Sequence, residues 1–296
     1  MTPSALSVDL EEYFQVSNFD HLISRTDWDS LPSRVEGATL RLLDTFEEHD
    51  QRATFFCLGW VAERHPGLLR TIADRGHELA CHGYQHELLY NLGPEKFVDD
   101  LRRSRDAIQQ AGGVAVEGYR APSYSITERS LWALHVLADE GFRYDSSIFP
   151  IRHHRYGIPK FWRHPVRLDL GNGRSIQEFP MTTLRVAGTN LPMAGGAYLR
   201  FIPAPIFRWA FRRVTRDKTP AILYLHPWEL DPDQPRQQVT WKTRINHYFN
   251  LKRTEARLRG LLERHRFAPV GDVLRMLEDA GELPITRLTE PALPAP

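Results

Sequence analysis

The sequence lacks several features that mark common protein classes. Its two cysteines, Cys57 and Cys81, are too few for a structural zinc site, and both lie in apolar runs typical of reduced core thiols. No apolar run approaches the ~18 residues that suggest a membrane span. The N-terminus, residues 1–9, has neither the basic start nor the apolar core of a signal peptide. We therefore expect a cytoplasmic protein without a membrane span.

Charge of one sign is also missing. The chain has 38 Lys and Arg against 37 Asp and Glu, a formal net charge of +1, so no global basic field attracts nucleic acid or an anionic membrane. The arginine-rich stretch 208–216 is interpreted as a solvated helix face. Neither a Gly-x-Ser-x-Gly elbow nor a phosphate loop nor a His-Glu-x-x-His helix occurs, which argues against serine hydrolases, nucleotide enzymes and zinc metalloproteases.

What the sequence does contain is an alternation of short apolar runs with helical patterns. The predicted strands are Ala5–Asp9, Ala53–Gly59, His77–His82, Val114–Arg120, Phe142–Asp145, Ser175–Pro180 and Ala221–His226. The predicted helices are Ser33–His49, Pro66–Arg75, Pro94–Gln110, Ser125–Glu140 and Ala204–Arg216, followed by two more near 254–265 and 270–280. This order indicates an α/β fold with a parallel sheet, either wound into a barrel or open.

Polar residues recur where the predicted strands end. Asp9, His82, Arg120, Asp145 and His226 close five different strands. In a parallel α/β barrel the carboxyl ends of the strands meet on one face, where active sites are built. We therefore expect these five side chains to belong to one site.

A metal site is indicated by His82 and His86, whose imidazoles are four positions apart and can converge on one divalent ion. Imidazole suits Zn, Co, Ni or Fe better than Mg or Ca. In an extended strand Asp9 and Glu11 point to the same side. One of them can complete the metal site while the other activates a water molecule, and the orientation of Glu12 stays open.

The remaining strand-end residues suit supporting roles. Arg120 can hold a catalytic carboxylate by a charge-assisted pair, and His226 suits a general acid. Asp145 either orients and charges that histidine or caps the turn at Ser146 and Ser147.

Together these motifs resemble the polysaccharide deacetylases of carbohydrate esterase family 4, the NodB homology domain. The motifs match in order over about residues 4–226: Ser7-Val-Asp-Leu-Glu11, His82-Gly-Tyr-Gln-His86, Arg120-Ala-Pro122, Asp145 and Leu225-His226. The resemblance is strongest to deacetylases from exopolysaccharide loci associated with exosortase systems, which share the Asp-x-Glu-x-Tyr-Phe start and a C-terminal extension.

The resemblance implies a distorted (β/α)7 barrel over residues 1–240 with an irregular insertion at about 151–175. A helical extension at 241–283 would pack on the barrel, and a flexible tail would follow at 284–296.

It also implies roles for individual residues. Asp9 would be the general base, oriented by Arg120, and His226 the general acid, tuned by Asp145. The metal ligands would be Glu11, His82 and His86. The usual Asp-Asp pair is replaced here, so the carboxylate ligand stays open between Glu11 and Glu12. The substrate would meet a backbone N–H near Ser123 and the side chains of Tyr124 and Trp228.

The implied function is metal-dependent removal of N-acetyl groups from N-acetylhexosamine units of a bacterial exopolysaccharide or related glycan. Zn is the first expectation for the metal, with Co, Ni or Fe as alternatives. Two other functions stay open: an amidohydrolase that opens a small cyclic imide or ureide, and an inactive glycan-binding relative. A homo-oligomer is left open as well.

Overall fold

The computed structural model describes residues 2–216 and 219–288. In this part of the chain the strands β1–β12 are Ser4–Leu10, Thr54–Cys57, Glu78–Cys81, Gly118–Tyr119, Tyr144–Asp145, Val166–Gly171, Arg174–Glu178, Thr183–Val186, Thr189–Pro192, Ile222–Leu225, Phe267–Ala268 and Ile285–Arg287. The helices α1–α10 are Val35–Glu48, Gly59–Arg64, Pro66–Asp74, Leu89–Gly112, Trp132–Asp139, Ala197–Phe201, Ala204–Thr215, Trp241–Tyr248, Leu251–Leu262 and Val270–Asp279. Short 3-10 helices lie at Arg25–Ser30, Pro122–Tyr124 and Pro227–Leu230.

The predicted α/β barrel is confirmed. Seven parallel strands follow the order β10-β1-β2-β3-β4-β5-β7, and each is one of the seven predicted strands, generally with shorter ends. The barrel interior is filled by one buried cluster that includes Phe56, Tyr144 and Ile222. A second, larger cluster lies between the strands and the helices. Alternate residues of each strand therefore supply the two layers.

The barrel is irregular between β7 and β10. Instead of a strand ladder, Thr182 exchanges hydrogen bonds with Ile222, at 2.6 Å and 2.9 Å. Tyr224 N donates to Ala194 O at 2.7 Å, and Gly196 N donates to Tyr224 O at 2.9 Å. Gly195 is required here, because a Cβ on it would lie 2.2 Å from Tyr224 O and its φ is +120°. This seam is the distortion of the barrel.

The segment expected to be an irregular insertion contains a hairpin instead. β6 and β7 pair antiparallel around Asn172 and Gly173, whose φ values are +53° and +75°. An Asn-Gly pair with positive φ at both residues is a strong hairpin signal. The expectation of irregular structure was therefore wrong for 166–175, while residues 151–165 contain no helix or strand.

Three other expectations change. The helix expected from Ser125 begins at Trp132, because Ser125, Thr127 and Ser130 hydrogen-bond one another in a turn. Beyond residue 240 the chain forms three helices rather than two, and β11 pairs with β1. Residues 285–287 of the expected tail form β12 beside β6, and 289–296 lie outside the described residues.

The C-terminal helix α10 fills the barrel end opposite to the strand ends that carry the predicted site. Val273, Leu274 and Leu277 join the interior cluster. The first backbone N–H groups of α10 donate to Thr54 Oγ1 at 2.7 Å and to Glu78 Oε2 at 3.1 Å, at the starts of β2 and β3. Among the described residues, no helix combines the length and hydropathy needed to cross a bilayer.

Candidate active site

The barrel brings five of the predicted site residues to one cavity of about 730 Å³ at the carboxyl ends of the strands. Asp9 and Glu11 come from the end of β1, His82 and His86 from the segment after β3, and His226 from the residue after β10. All except His226 are at least nine-tenths buried. The strand-end pattern of the sequence therefore identified residues that line this cavity.

Glu11, His82 and His86 form a compact donor cluster. One ligand-type atom from each lies within 4.8 Å of the others, and Glu11 Oε2 is 3.3 Å from His86 Nε2. His82 Nδ1 donates to the Arg120 carbonyl at 2.7 Å, which leaves Nε2 as the nitrogen with a free lone pair. Burial lowers the pKa of His82 to about 4 and that of His86 well below its usual value. Both rings are therefore neutral at neutral pH, as metal binding requires.

This cluster is electrostatically incomplete. Glu11 Oε2 and His86 Nδ1 are buried and have no hydrogen-bond partner. Burial raises the pKa of Glu11 to about 7. Buried polar atoms are nearly always satisfied, and an unpaired buried carboxylate is costly. A divalent cation would satisfy these groups, so two imidazoles and one carboxylate fit a metal of the Zn type.

Glu12 faces away from this cluster. Its carboxylate accepts hydrogen bonds from the Ser33 hydroxyl and from Arg34 N, the latter at 3.0 Å and 3.1 Å. These donors lie at the N-terminus of α1, where a carboxylate stabilises unpaired N–H groups and the helix dipole. Of the two carboxylates left open by the sequence, Glu11 is the one beside the histidines.

Asp9 is paired with Arg120 beneath the cavity. Arg120 Nη1 donates to Asp9 Oδ1 at 2.6 Å and to Ser7 Oγ at 2.9 Å, and Arg120 Nε donates to Ser146 O at 3.0 Å. Burial alone would raise the pKa of Asp9, but the charge and hydrogen bond of Arg120, together with the charge of His226, outweigh it and lower that pKa. Asp9 is therefore held ionised and in a fixed orientation.

His226 lies beside the carboxylates of Asp9 and Glu11. Its Nε2 is 3.8 Å from Asp9 Oδ2 and 3.5 Å from Glu11 Oε1, while its Nδ1 is 3.1 Å from Glu229 Oε2. Arg200 Nε in turn donates to Glu229 Oε1 at 2.7 Å. Burial lowers the pKa of His226, but Glu229 together with Glu11 and Asp9 outweighs it and raises the pKa to about 9. Despite burial, Arg200 and His226 lower the pKa of Glu229 to about 2.

The prediction that Asp145 tunes His226 was wrong, since Glu229 occupies that place. Asp145 accepts from Ser147 N at 3.1 Å and from Ser147 Oγ at 2.5 Å, and it pairs in register with Glu178 of β7. Its strand is not adjacent to β10, because β7 and the irregular seam lie between them. Asp145 instead fixes the turn whose Ser147 hydroxyl accepts from Ala121 N at 2.7 Å, next to Arg120. Of the two roles that the sequence left open for Asp145, the structure therefore shows the second, capping of the turn at Ser146 and Ser147.

The three predicted substrate residues also line the cavity. Ser123 and Tyr124 have φ values of +50° and +56°, a left-handed turn that brings their backbone to the wall. Trp228 stacks on His226 with ring centroids 4.9 Å apart, and its Nε1 donates to Glu11 Oε1 at 3.3 Å. Trp228 thus contacts both His226 and the donor cluster.

Two charged residues next to His226 and in line with it were not predicted to belong to the site: Glu229 and Arg200. Glu229 had a signal, because it follows His226 by three residues in His-Pro-Trp-Glu and caps the short helix that Pro227 begins. His247 stacks on Trp228 at 4.2 Å, and its Nε2 lies 2.8 Å from Gln234 Oε1. Arg200 lies in a segment without any motif, and nothing in the sequence marks it.

Comparison with known proteins agrees with this geometry. Residues 25–143 match the polysaccharide deacetylase family, and residues 146–275 match a domain of unknown function, DUF3473. Over residues 25–143 the chain is therefore similar to polysaccharide deacetylases. The resemblance expected from the motifs is confirmed.

Two of the similar curated proteins are peptidoglycan deacetylases by name. A peptidoglycan-N-acetylglucosamine deacetylase of Bacillus cereus is 31% identical over 96 residues, which are 32% of this chain and 35% of that protein. A peptidoglycan deacetylase of Helicobacter pylori is 34% identical over 108 residues, 36% of each chain. The chain thus spans about a third of the length of these relatives.

One solved structure extends the likeness to the whole fold. A polysaccharide deacetylase homologue from Mycobacterium smegmatis superimposes with a TM-score of 0.66 over 99% of this chain and 96% of that chain. The sequence identity is 21%, so this likeness concerns the fold alone.

Proposed function

We propose that the protein is a metal-dependent N-deacetylase that hydrolyses the acetamide of N-acetylhexosamine units in a bacterial exopolysaccharide or related glycan. The observation that carries the proposal is the position of the Glu11–His82–His86 donor cluster between an ionised carboxylate, Asp9, and a histidine of raised pKa, His226. This is the arrangement that amide hydrolysis needs: a Lewis-acid site, a base and an acid around one point.

Glu11, His82 and His86 would hold the divalent ion. Zn suits this donor set, and Co, Ni and Fe are the alternatives. When bound, such an ion lowers the pKa of a water molecule from about 15.7 towards about 7 and polarises the amide carbonyl.

Asp9 takes the proton of the attacking water. Arg120 keeps it ionised and aims Oδ2 into the cavity by holding Oδ1 at 2.6 Å. A base that is already ionised and fixed in direction loses little free energy to reorganisation when the proton moves.

His226 supplies the proton that the leaving nitrogen needs. Glu229 keeps its imidazole protonated, and Arg200 keeps Glu229 ionised. As the C–N bond of the tetrahedral adduct breaks, Nε2 gives its proton to the sugar nitrogen, so acetate and an amino sugar are released. The backbone N–H near Ser123 is the oxyanion donor of this scheme, and Tyr124 and Trp228 contact the sugar.

The glycan substrate is supported by three features. The cavity of about 730 Å³ exceeds what one acetamide requires, and its wall includes the aromatic rings of Tyr156, Tyr198 and Phe201. The two curated relatives bear names of peptidoglycan deacetylases. The Asp-x-Glu-x-Tyr-Phe start, residues 9–14, supports an exopolysaccharide rather than another glycan.

The test is acetate release from N-acetylglucosamine oligomers by the zinc-loaded protein, measured beside the opening of a cyclic imide. We expect acetate release that stops on chelation and returns with zinc. Asp9→Asn should lower kcat about 10²–10⁴-fold, whereas Asp29→Asn, a change in an exposed carboxylate, should not. Imide opening without acetate release, or full metal-dependent release by Asp9→Asn, would contradict the proposal.

A further inference from the structure

The near-zero net charge of the chain conceals two segments without acidic residues. Residues 179–216 contain six arginines, residues 234–254 contain five lysines and arginines, and neither contains Asp or Glu. The two segments meet in space: Arg200 Nη1 donates to the carbonyls of His247 and Phe249 at 3.0 Å each. The two acid-free segments are therefore neighbours in the fold, although the chain as a whole is nearly neutral.

An apolar stripe lies on the same part of the surface. Trp241 and Ile245 of α8, and Phe249 directly after it, recur every fourth residue and are 68%, 46% and 41% exposed. Phe201 of α6 is 38% exposed and stacks on Phe249 with ring centroids 5.0 Å apart. Single exposed apolar residues are ordinary, but a contiguous set of large ones marks an interaction surface.

Basic side chains flank this stripe. Lys242 and Arg244 are exposed on α8, and Lys242 Nζ lies 5.7 Å from the centre of the Trp241 ring. The helix after Phe201, α7, likewise has exposed apolar side chains: more than half of Ile206 and of Trp209 is exposed. Tryptophan, phenylalanine and isoleucine among lysines and arginines, without acids, are typical of helices that lie in a membrane interface.

The stripe borders the mouth of the active-site cavity. Lys242, Thr243 and Asn246 of α8 line the cavity, as does Phe201. On a helix these positions are adjacent to the 241–245–249 row. A surface that docks on this stripe would therefore lie beside the opening of the site.

We propose that the stripe Phe201–Trp241–Ile245–Phe249, with its flanking lysines and arginines, docks on the surface of an anionic lipid bilayer. Charge complementarity selects this occupant. A second copy of the chain would bring the same basic residues against themselves, whereas anionic headgroups attract the exposed Lys242 and Arg244 that flank the stripe. The aromatic and isoleucine side chains supply the apolar area that enters the headgroup region.

Vesicle co-sedimentation tests the proposal with the full chain. We expect binding to vesicles of phosphatidylglycerol and phosphatidylcholine, weaker binding to phosphatidylcholine alone, and loss of affinity with added salt. The double variant Trp241→Ser/Ile245→Ser should bind on the order of tenfold more weakly, and Arg244→Gln about fivefold. The control Trp162→Ser removes another half-exposed tryptophan, beside β12, and should bind like the unchanged chain.

Two results would overturn the proposal. One is equal sedimentation with and without anionic vesicles. The other is a dimer, measured by light scattering, that the Trp241→Ser/Ile245→Ser change dissolves, because a second copy would then cover the stripe. Thermal unfolding of each variant should match that of the unchanged chain, since the altered side chains are exposed. The binding assay involves no turnover, so its outcome is independent of the proposed deacetylase activity.

Discussion

The two sides of the cavity differ in how their charges are compensated. On the side built by β1 and β3, Glu11 has an unpaired buried oxygen and both histidines are neutral. On the side built by β10, His226, Glu229 and Arg200 form a closed chain of ion pairs. The first side has an unsatisfied carboxylate oxygen that a cation would pair, whereas on the second side each charged group already has a charged partner. Replacing a residue on the first side should therefore change zinc binding. Replacing a residue on the second side should instead change the pKa of His226.

The largest effect should come from the metal side. His82→Ala removes a neutral imidazole from the donor cluster, so we expect loss of bound zinc and a fall in acetate release on the order of 10³-fold. Elemental analysis and the acetate assay measure the two effects. His21→Ala, at an exposed position, is the control. Full zinc content in the His82→Ala variant would contradict the role of His82 as a metal ligand.

The neighbouring glutamates sharpen the comparison within the metal side. Glu11→Gln should weaken zinc binding about 10–100-fold by calorimetry, because it removes the only anionic donor of the cluster. Glu12→Gln should keep zinc affinity and instead lower the free energy of unfolding by about 1 kcal/mol, since it weakens the start of α1. Equal zinc affinity in both variants would mean that Glu11 is not a ligand.

These glutamates also differ in their effect on stability without metal. The pKa of Glu11 is raised to about 7 from a usual 4.5, so its burial lowers stability progressively as pH rises between these values. In chelator, the unfolding free energy of the unchanged chain should therefore fall relative to Glu11→Gln from pH 4.5 to pH 7. Urea unfolding at both pH values measures this difference, and a constant difference would contradict the raised pKa.

A smaller effect is expected on the proton side. Glu229→Gln removes one of the three carboxylates that raise the pKa of His226 to about 9, so the alkaline limb of the kcat profile should move to lower pH. At pH 8 we expect about a tenfold lower kcat with unchanged zinc content. The variant also leaves Arg200 buried without its partner, so thermal unfolding must be measured beside the kinetics. An alkaline limb at the same pH in both proteins would mean that Glu229 does not raise the pKa of His226.

The smallest effect on that limb should come from Asp145→Asn. Asp145 contacts Ser147 and lies beside Glu178, away from His226. Its replacement should leave the alkaline limb in place even where it lowers kcat through the turn next to Arg120. A shift equal to that of Glu229→Gln would restore the role that the sequence suggested for Asp145.

The contrast between the two sides also explains what the sequence could predict. The positions of Asp9, His82, Arg120 and His226 follow from one rule, that carboxyl ends of parallel strands share a face. The rule says nothing about which strand ends are neighbours around the barrel, and Asp145 was misplaced for that reason. Arg200 comes from a short helix beyond the irregular seam, whose path depends on contacts such as Gly195 with Tyr224. Such contacts leave no periodic trace in the sequence.

Anomalous diffraction from zinc-soaked crystals tests the central claim most directly. The account predicts one peak, within bonding distance of Glu11, His82 and His86, and no peak beside Glu12. A zinc ion elsewhere, or an empty cluster in a crystal that holds zinc at other positions, would contradict it.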